Sequence, residues 1–489
     1  MIAFIFYFSA LGAILSCSML LPALVAFGLN EVQIGYRILL YGALGAFISV
    51  AILLAIRGRQ FGLERNTAII LGVVSWIAFP VILAVPLLDV AQISLVEALF
   101  QSVSALTTTG AVIFENVDAV PRSIIFMLAQ IQWLGGFLTL ITLVLVLAPW
   151  EVGGLPQVGS ASVAASIVAS HSRLVSFCGQ LLRIYLFLTL MCFLFLVLAG
   201  VSPYNASILS FTALSTGGVV PSSESLDILL GMSGMFVMAL FLLIGATSIF
   251  WHQDIFEFRY GELLRHRESY FVVAVVCGLS AYIAINLFVA AGSPDVLPRR
   301  TALAEGVLNA SSIVSTSGLQ SRPGVFSLLP ASLVLLLIFI GGGCYSTSGG
   351  IKFFRIGGIF SLSRHDLDKL VYPNAVSPTR FGNTKFDTEF MKAVWSLFAI
   401  VIFVVAVGVC TLAATGMEFQ IAFTAVISAV SNAGPVYSQD WAGGTADLWP
   451  TYGAMNGLQQ SVLGIIMLLG RLEVISVIAC FSVLVRSLK

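Results

Sequence analysis

Four short strings recur along this chain: Thr107-Thr108-Thr109-Gly110, Ser215-Thr216-Gly217-Gly218, Ser315-Thr316-Ser317-Gly318 and Ser431-Asn432-Ala433-Gly434. Each reads Ser or Thr, then Thr or Asn, then a free choice, then Gly. The glycines stand 108, 100 and 116 residues apart. A single such string carries no information, but four at a near-constant period mark an internal repeat. What they offer chemically is backbone. Loops without large apolar side chains can turn their carbonyl oxygens toward a common axis. A ring of carbonyls can then replace the hydration shell of a bare monovalent cation. Glycine admits the backbone conformations that such turning needs.

The elements that must position these loops follow from composition. Of 489 residues, 59% are hydrophobic and 9% charged, and the mean hydropathy is +1.03. A soluble domain carries roughly a quarter charged residues, so the solvent here is lipid. That excludes a cytosolic enzyme, a nucleic-acid binder and a disordered scaffold. Ten runs can cross a bilayer at ~20 residues each: 1–27, 37–56, 67–88, 123–149, 181–200, 228–251, 270–292, 325–360, 392–415 and 455–486. The first lacks the basic start of a signal peptide and reads as a retained helix. Shorter apolar stretches lie between spans at 95–106, 204–214, 303–314 and 418–430, and each leads into one of the four strings. Too short to cross, they read as re-entrant half-helices. Arranged around one axis, they direct their partly negative C-termini at the membrane centre.

Charge placement sets the orientation. With the N-terminus inside, 17 Lys/Arg and 10 Asp/Glu fall on the inner side and 5 and 12 on the outer, leaving Arg471 and Glu473 inside the last span. The basic excess within supports this orientation and puts both termini in the cytoplasm. Lys352 and Arg355 count among the inner charges. Glu97 and Glu305, each 13 residues before its Gly, sit near half-helix starts and complement the helix dipole. With Glu115, Asp118, Glu224, Asp227 and Asp440 they make the outer mouth attractive to cations. The four His (171, 252, 266 and 365) fall on inner loops and read as solvated. The seven Cys show no ligand spacing and read as small core residues. The inner loop 361–391, broken by Pro373, Pro378 and Gly382, is the candidate surface for a soluble partner.

The run 325–360 is interrupted by Gly341-Gly342-Gly343-Cys344-Tyr345-Ser346-Thr347-Ser348-Gly349-Gly350. At ~1 kcal/mol per Gly, no continuous helix tolerates this. The spacing predicts a broken helix whose interruption is a mobile flap, held by few packing contacts. It is not a phosphate loop, since Ile351 follows Gly350. Arg471 within a span is costly unless it has a purpose. Glu473, two residues on, does not face it on a helix, so Glu473 serves another partner. Arg471 reads as a pore-facing charge at the depth of the flap, able to hydrogen-bond its carbonyls. Lys352 reads as a structural anchor. The chain has no HExxH and no GxSxG motif, which speaks against a membrane enzyme.

With these residues in view, the chain resembles the Trk/Ktr/HKT superfamily of potassium transporters, most closely its TrkH branch, over about residues 60–489. The matching strings are Thr107–Ala111, Gln132-Trp133-Leu134-Gly135-Gly136, Ser215–Gly218, Ser315–Gly318, Ser431–Pro435, Gly342–Lys352 and Gly470-Arg471-Leu472-Glu473. The resemblance implies K⁺ binding at Thr108, Thr109, Gly110, Thr216, Gly217, Gly218, Thr316, Ser317, Gly318, Asn432, Ala433 and Gly434. It implies a gate at Gly343, Cys344, Tyr345, Ser346, Thr347, Ser348 and Gly349, facing Arg471. Relatives with Ser at the first filter Gly pass Na⁺; Gly110 favours K⁺. The family's loop usually reads Gly-Gly-Cys-Ala-Gly-Ser-Thr-x-Gly-Gly, and here it is one residue shorter, with Tyr345 after Cys344.

The expected fold is an all-α polytopic membrane protein with ten spans and four re-entrant pore helices. Two extra N-terminal helices (1–60) precede four span–pore–span repeats at 61–165, 166–255, 256–380 and 381–489. The third repeat holds the broken gate helix. The expected function is potassium uptake across a bacterial inner membrane, with K⁺ as cargo and no organic cofactor. The alternative is a Na⁺- or H⁺-coupled symporter of the same fold. The resemblance implies a homodimer in lipid and a cytosolic nucleotide-binding regulatory subunit of the TrkA/KtrA type. No nucleic acid is expected as a partner.

Overall fold

A backbone in lipid must satisfy its hydrogen bonds within its own segment, so the long apolar runs fold as helices. In the computed structural model eight helical runs are long and apolar enough to cross a membrane. The structure describes residues 2–57, 62–147, 170–263, 266–292, 298–372, 380–381, 384–385, 388–442, 449–473 and 480. The chain opens with α1 (Ile2–Ser18) and α2 (Leu20–Gly28), one run bent at Met19, and returns through α3 (Val32–Ala55). The first repeat is α4 (Arg65–Ala91), the half-helix α5 (Leu95–Leu106) and α6 (Arg122–Ile141), which continues as a wider helix over Thr142–Leu147. The second is α7 (His171–Leu198), half-helix α8 (Pro203–Ser215) and α9 (Leu226–Ala246), followed by the short α10 (Ile249–Phe256) and α11 (Tyr260–Leu263).

The third repeat is α12 (Arg267–Ala291), half-helix α13 (Arg299–Val314), then α14 (Ala331–Ile340) and α15 (Phe353–Val371). The predicted run 325–360 is therefore two helices around a non-helical stretch, as the glycines require. The fourth is α16 (Thr388–Ala414), half-helix α17 (Phe419–Val430) and α18 (Gly457–Leu472). The expected continuations of 123–149 past 147 and of 455–486 past 473 lie outside the described residues, apart from helical Cys480. One expectation is corrected. The inner loop 361–391 is helical as far as Val371, because α15 carries its amphipathic pattern beyond the membrane-depth segment.

Each half-helix packs on the span before it: α5 on α4, α8 on α7, α13 on α12 and α17 on α16. Their starts use ordinary caps. Ser94 and Glu97 form a reciprocal box at α5, and the Ser202 hydroxyl accepts the Asn205 N–H at α8, with Pro203 in the first turn. α13 begins after Pro298, four residues earlier than its apolar pattern alone suggests, so Arg299 and Arg300 belong to the helix. The N-terminal pair is tied to the first repeat through Glu31. Its carboxylate accepts the N–H groups of Arg122 (2.9 Å) and Ser123 (3.0 Å), which are the unpaired donors at the start of α6.

Candidate ion-conducting site

The four strings share one backbone device. In each, the second residue is left-handed: φ is 59° at Thr108, 51° at Thr216, 61° at Thr316 and 53° at Asn432. The third residue then donates its N–H to the carbonyl five positions back. These bonds are Thr109 to Ser104 (2.9 Å), Gly217 to Thr212 (2.9 Å), Ser317 to Ser312 (3.0 Å) and Ala433 to Ser428 (2.8 Å). This is a helix C-terminal closure in which Gly ordinarily takes the left-handed place. Thr or Asn there costs about 1–2 kcal/mol, held in place at four equivalent positions. The sequence reading put the special backbone at the glycines. It sits there only in part, since Gly110 and Gly318 have φ of 72° while Gly218 and Gly434 do not have positive φ. The fourfold set therefore alternates in two-fold fashion at its last residue.

All twelve predicted filter residues are buried, and several of them bond across repeats. The Gly434 N–H donates to Thr109 O (2.7 Å), and Asn432 Nδ2 donates to Thr109 Oγ1 (3.0 Å). Ser317 Oγ donates to Gly217 O. A Cβ on Gly110 would run into the Gly218 backbone, and one on Gly434 into Ala111. Some carbonyls of the set thus already accept one bond within the protein. Thr109 O and Gly217 O each keep a second lone pair, whereas Ala433 O accepts from Ser428 Oγ and the Val436 N–H, and Gly434 O from the Tyr437 N–H and the Tyr452 hydroxyl.

The loops that follow the four strings form a stitched ring. The Ser223 N–H donates to Asp118, the Asp227 N–H to Ser321 O, Gln320 Nε2 to Asp440, and Thr451 Oγ1 to Glu115. Every repeat is joined to both neighbours. One vestibule expectation is corrected: Glu305 is 1% exposed and paired with Arg322 at 3.0 Å, so its charge is compensated rather than offered at the mouth.

The Gly-rich interruption lies beneath the half-helix ends. Gly341 to Gly349 are all buried. Thr347 Oγ1 donates to Leu214 O (2.8 Å) in α8, and the Gly349 N–H donates to Thr316 Oγ1 (2.7 Å) in the third filter string. The end of α9 lines up beside it. Gly343 N–H donates to Ala246 O (2.8 Å), Thr347 N–H to Gly245 O (3.2 Å), and Ile249 N–H to Tyr345 O (3.0 Å). Tyr345 stands edge-on to Phe250, ring centres 5.3 Å apart. The expectation of a flap held by few contacts is thus overturned. Polar backbone at this depth cannot be left unpaired, so the loop is bonded to the second, third and fourth repeats.

Arg471 meets this loop as the sequence predicts. It is 5% exposed, and its Nη2 donates to Thr347 O at 2.8 Å. Its Nε has no hydrogen-bond partner among the described residues. Glu473 does serve another partner, Arg355, at 2.6 Å. Lys352 anchors the loop, its ammonium donating to Ser348 O and Oγ. Two corrections follow. Lys352 and Arg355, counted as inner-face charges, are 4% and 1% exposed, so Arg471 and Glu473 are not alone at membrane depth. His252 is not solvated: it is 5% exposed with Nε2 3.0 Å from both Ile244 O and Thr247 Oγ1. A carbonyl can only accept, so Nε2 carries the proton. Burial pushes this imidazole down to about 4.

Sequence reasoning missed the Arg355–Glu473 pair and Glu268, whose carboxylate accepts the N–H groups of Cys344 and Phe354. A signal was present for Arg355. An odd acid at 473 needs a cation, and the cation nearest the break after Lys352 is Arg355.

The family model for TrkH, described as a cation transport protein, matches residues 45–489. The chain is 28% identical over 484 residues to the Trk system potassium uptake protein TrkH of Vibrio parahaemolyticus, covering 95% of each. It is 28% identical over 453 residues to TrkH of Halomonas elongata, covering 90% of each. Among solved structures, the crystal structure of the potassium transporter TrkH from Vibrio parahaemolyticus superposes with a TM-score of 0.83 at 27% identity, covering 98% of both chains.

Proposed function

Because this chain belongs to the TrkH family of cation transport proteins, which are transporters and not enzymes, we propose that it takes up potassium through a filter formed by its four strings. The observation that carries this reading is the fourfold closure: a left-handed second residue and a bond from the third residue to the carbonyl five back. That device ends each half-helix abruptly. It leaves Thr108, Thr109, Gly110, Thr216, Gly217, Gly218, Thr316, Ser317, Gly318, Asn432, Ala433 and Gly434 as a ring of backbone at the helices' negative ends. Carbonyls there take the place of water around K⁺. Gly110 keeps the first quarter unobstructed, which favours K⁺ over Na⁺.

The loop Gly343–Gly349 is the gate. It lies under three half-helix ends, and Arg471 holds it by the Thr347 carbonyl. At ~5 Å and an effective dielectric of ~20, the Arg471 charge adds about 3 kcal/mol to the barrier for a passing cation, less where water enters. The working protein is a homodimer in a bacterial inner membrane with both termini cytoplasmic. Its four quarters are 61–165, 166–255, 256–380 and 381–489, after the helices of 1–60. A nucleotide-binding regulatory subunit docks on the basic inner face.

The test is uptake of Rb⁺ and Na⁺ by the full chain in liposomes, compared with Gly110→Ser. At φ 72° and against the Gly218 backbone, Ser must displace one quarter of the ring. Selectivity for Rb⁺ over Na⁺ should fall about tenfold, a differential of ~1.4 kcal/mol. Unchanged selectivity in folded Gly110→Ser would remove the filter from these residues.

A further inference from the structure

Glu268 lies in the first turn of α12, at the inner end of the third repeat's first span, and is part-buried. A single oxygen, Oε1, accepts two backbone N–H groups: Cys344 at 2.9 Å and Phe354 at 3.0 Å. Cys344 lies near the start of the intramembrane loop and Phe354 lies just past its end, in the first turn of α15. That turn presents unpaired N–H donors and partial positive charge, the place where a carboxylate binds best. Eleven residues of chain, Cys344 to Phe354, thus have both ends pinned to one atom on a different helix. Every other side-chain hydrogen bond of the loop described above reaches its middle or its exit: Thr347, Ser348 and Gly349.

We propose that Glu268 is the latch of the intramembrane loop, a positioning residue that keeps it folded across the pore axis by bridging its two ends. The consequence for permeation rests on the reading of that loop as the gate. The latch also has a handle. The residues just before Glu268 are tied to α10, where His266 Nε2 lies 2.9 Å from Asp254 Oδ2. The Ile249 N–H at the start of α10 in turn holds Tyr345 O. Displacing α10 together with the first turn of α12 therefore pulls on the loop at two points, Ile249 and Glu268.

The full chain in liposomes gives two readouts: methanethiosulfonate labelling of Cys344, quantified by mass spectrometry, and Rb⁺ uptake per folded protein. Cys344 is 1% exposed, so labelling reports loop opening. Glu268→Ala should raise labelling at least about tenfold, since two charge-assisted hydrogen bonds are lost and each alone is worth about that factor, and raise uptake with it. Glu268→Gln should raise both less than the alanine does, since an amide oxygen at the Oε1 place still accepts both N–H groups but without the carboxylate's charge. Wild-type labelling in folded Glu268→Ala overturns the latch, and so does a Glu268→Gln variant as loose as the alanine. Raised labelling with unchanged uptake keeps the latch and overturns the gate reading instead. If Glu268→Ala does not fold, Glu268→Asp retracts the carboxylate by one methylene. Raised labelling there supports the latch and wild-type labelling overturns it.

Discussion

Each filter string is closed on its own half-helix by a bond that reaches back five residues. The intramembrane loop is closed by bonds that reach 76 residues to Glu268, 102 to Gly245, 124 to Arg471 and 133 to Leu214. Both are glycine-containing interruptions at membrane depth, and both must pair their backbone. The filter strings close first on their own half-helices, and only a few of their bonds, such as the Gly434 N–H to Thr109 O, cross between repeats. The loop pairs its backbone only after the second, third and fourth repeats have docked. Perturbing a docking residue should therefore loosen the loop and spare the filter, and a change inside one half-helix should do the reverse.

The largest effect belongs to Arg355→Met. It leaves the Glu473 carboxylate buried without its cation, a loss of ~3–5 kcal/mol. Folded yield in detergent should collapse, as read by size-exclusion chromatography. A normal yield would mean that the loop region does not depend on this long-range pair. Next comes Arg471→Ala, which removes the positive charge and the bond to Thr347 O together. Rb⁺ uptake per folded protein should rise, by at most the factor of about 100 that ~3 kcal/mol allows. A fall in uptake at normal yield would exclude the barrier role.

His252 supplies an acid-sensitive difference between the two regions. It supports the end of α9 on which the loop docks, and it is held neutral. Its folded value lies below the unfolded 6.5. The unfolded chain therefore binds the proton more readily between about 6.5 and 4. Stability is full above that window, falls as pH drops through it, and is constant below it. The loss is on the order of 3 kcal/mol. Thermal unfolding followed across this range should show the decline, and His252→Gln should flatten it. An equally steep decline in His252→Gln would assign the sensitivity elsewhere. The smallest effect is on the filter side. Ser104→Ala deletes the hydroxyl bond to Ala111 O (2.7 Å) at about 1 kcal/mol. It should lower Rb⁺/Na⁺ selectivity slightly and leave Cys344 labelling at the wild-type level.

The same contrast explains what the sequence discloses. The half-helices expected at 95–106, 204–214 and 418–430 fall within a residue of Leu95–Leu106, Pro203–Ser215 and Phe419–Val430. Short apolar runs ending in Ser/Thr/Gly are local signals. The break at Gly341–Gly350 was equally plain. The partners of that break were not, because nothing near Cys344 in sequence announces Glu268 or Leu214. Lys352, Arg355 and His252 looked like inner-face groups since position along the chain was the only guide. What buries them is the docking of repeats. Arg471 was the exception: an Arg in a lipid-solvated run has so few acceptable partners that its meeting with the loop could be inferred.

The ring of bonds among the loops after the strings, each repeat joined to two neighbours, has a meaning for symmetry. An assembly of four identical subunits repeats every residue four times, and four copies of one ten-residue intramembrane loop cannot occupy the same place. Joining the quarters in a single polypeptide lifts that constraint. Among the described residues, the third repeat carries the interrupted loop, the fourth the arginine that bonds it and the second the helix end beside it. The ring keeps the four quarters equivalent on the side of those loops, while the opposite side is free to become a lock whose parts differ from repeat to repeat.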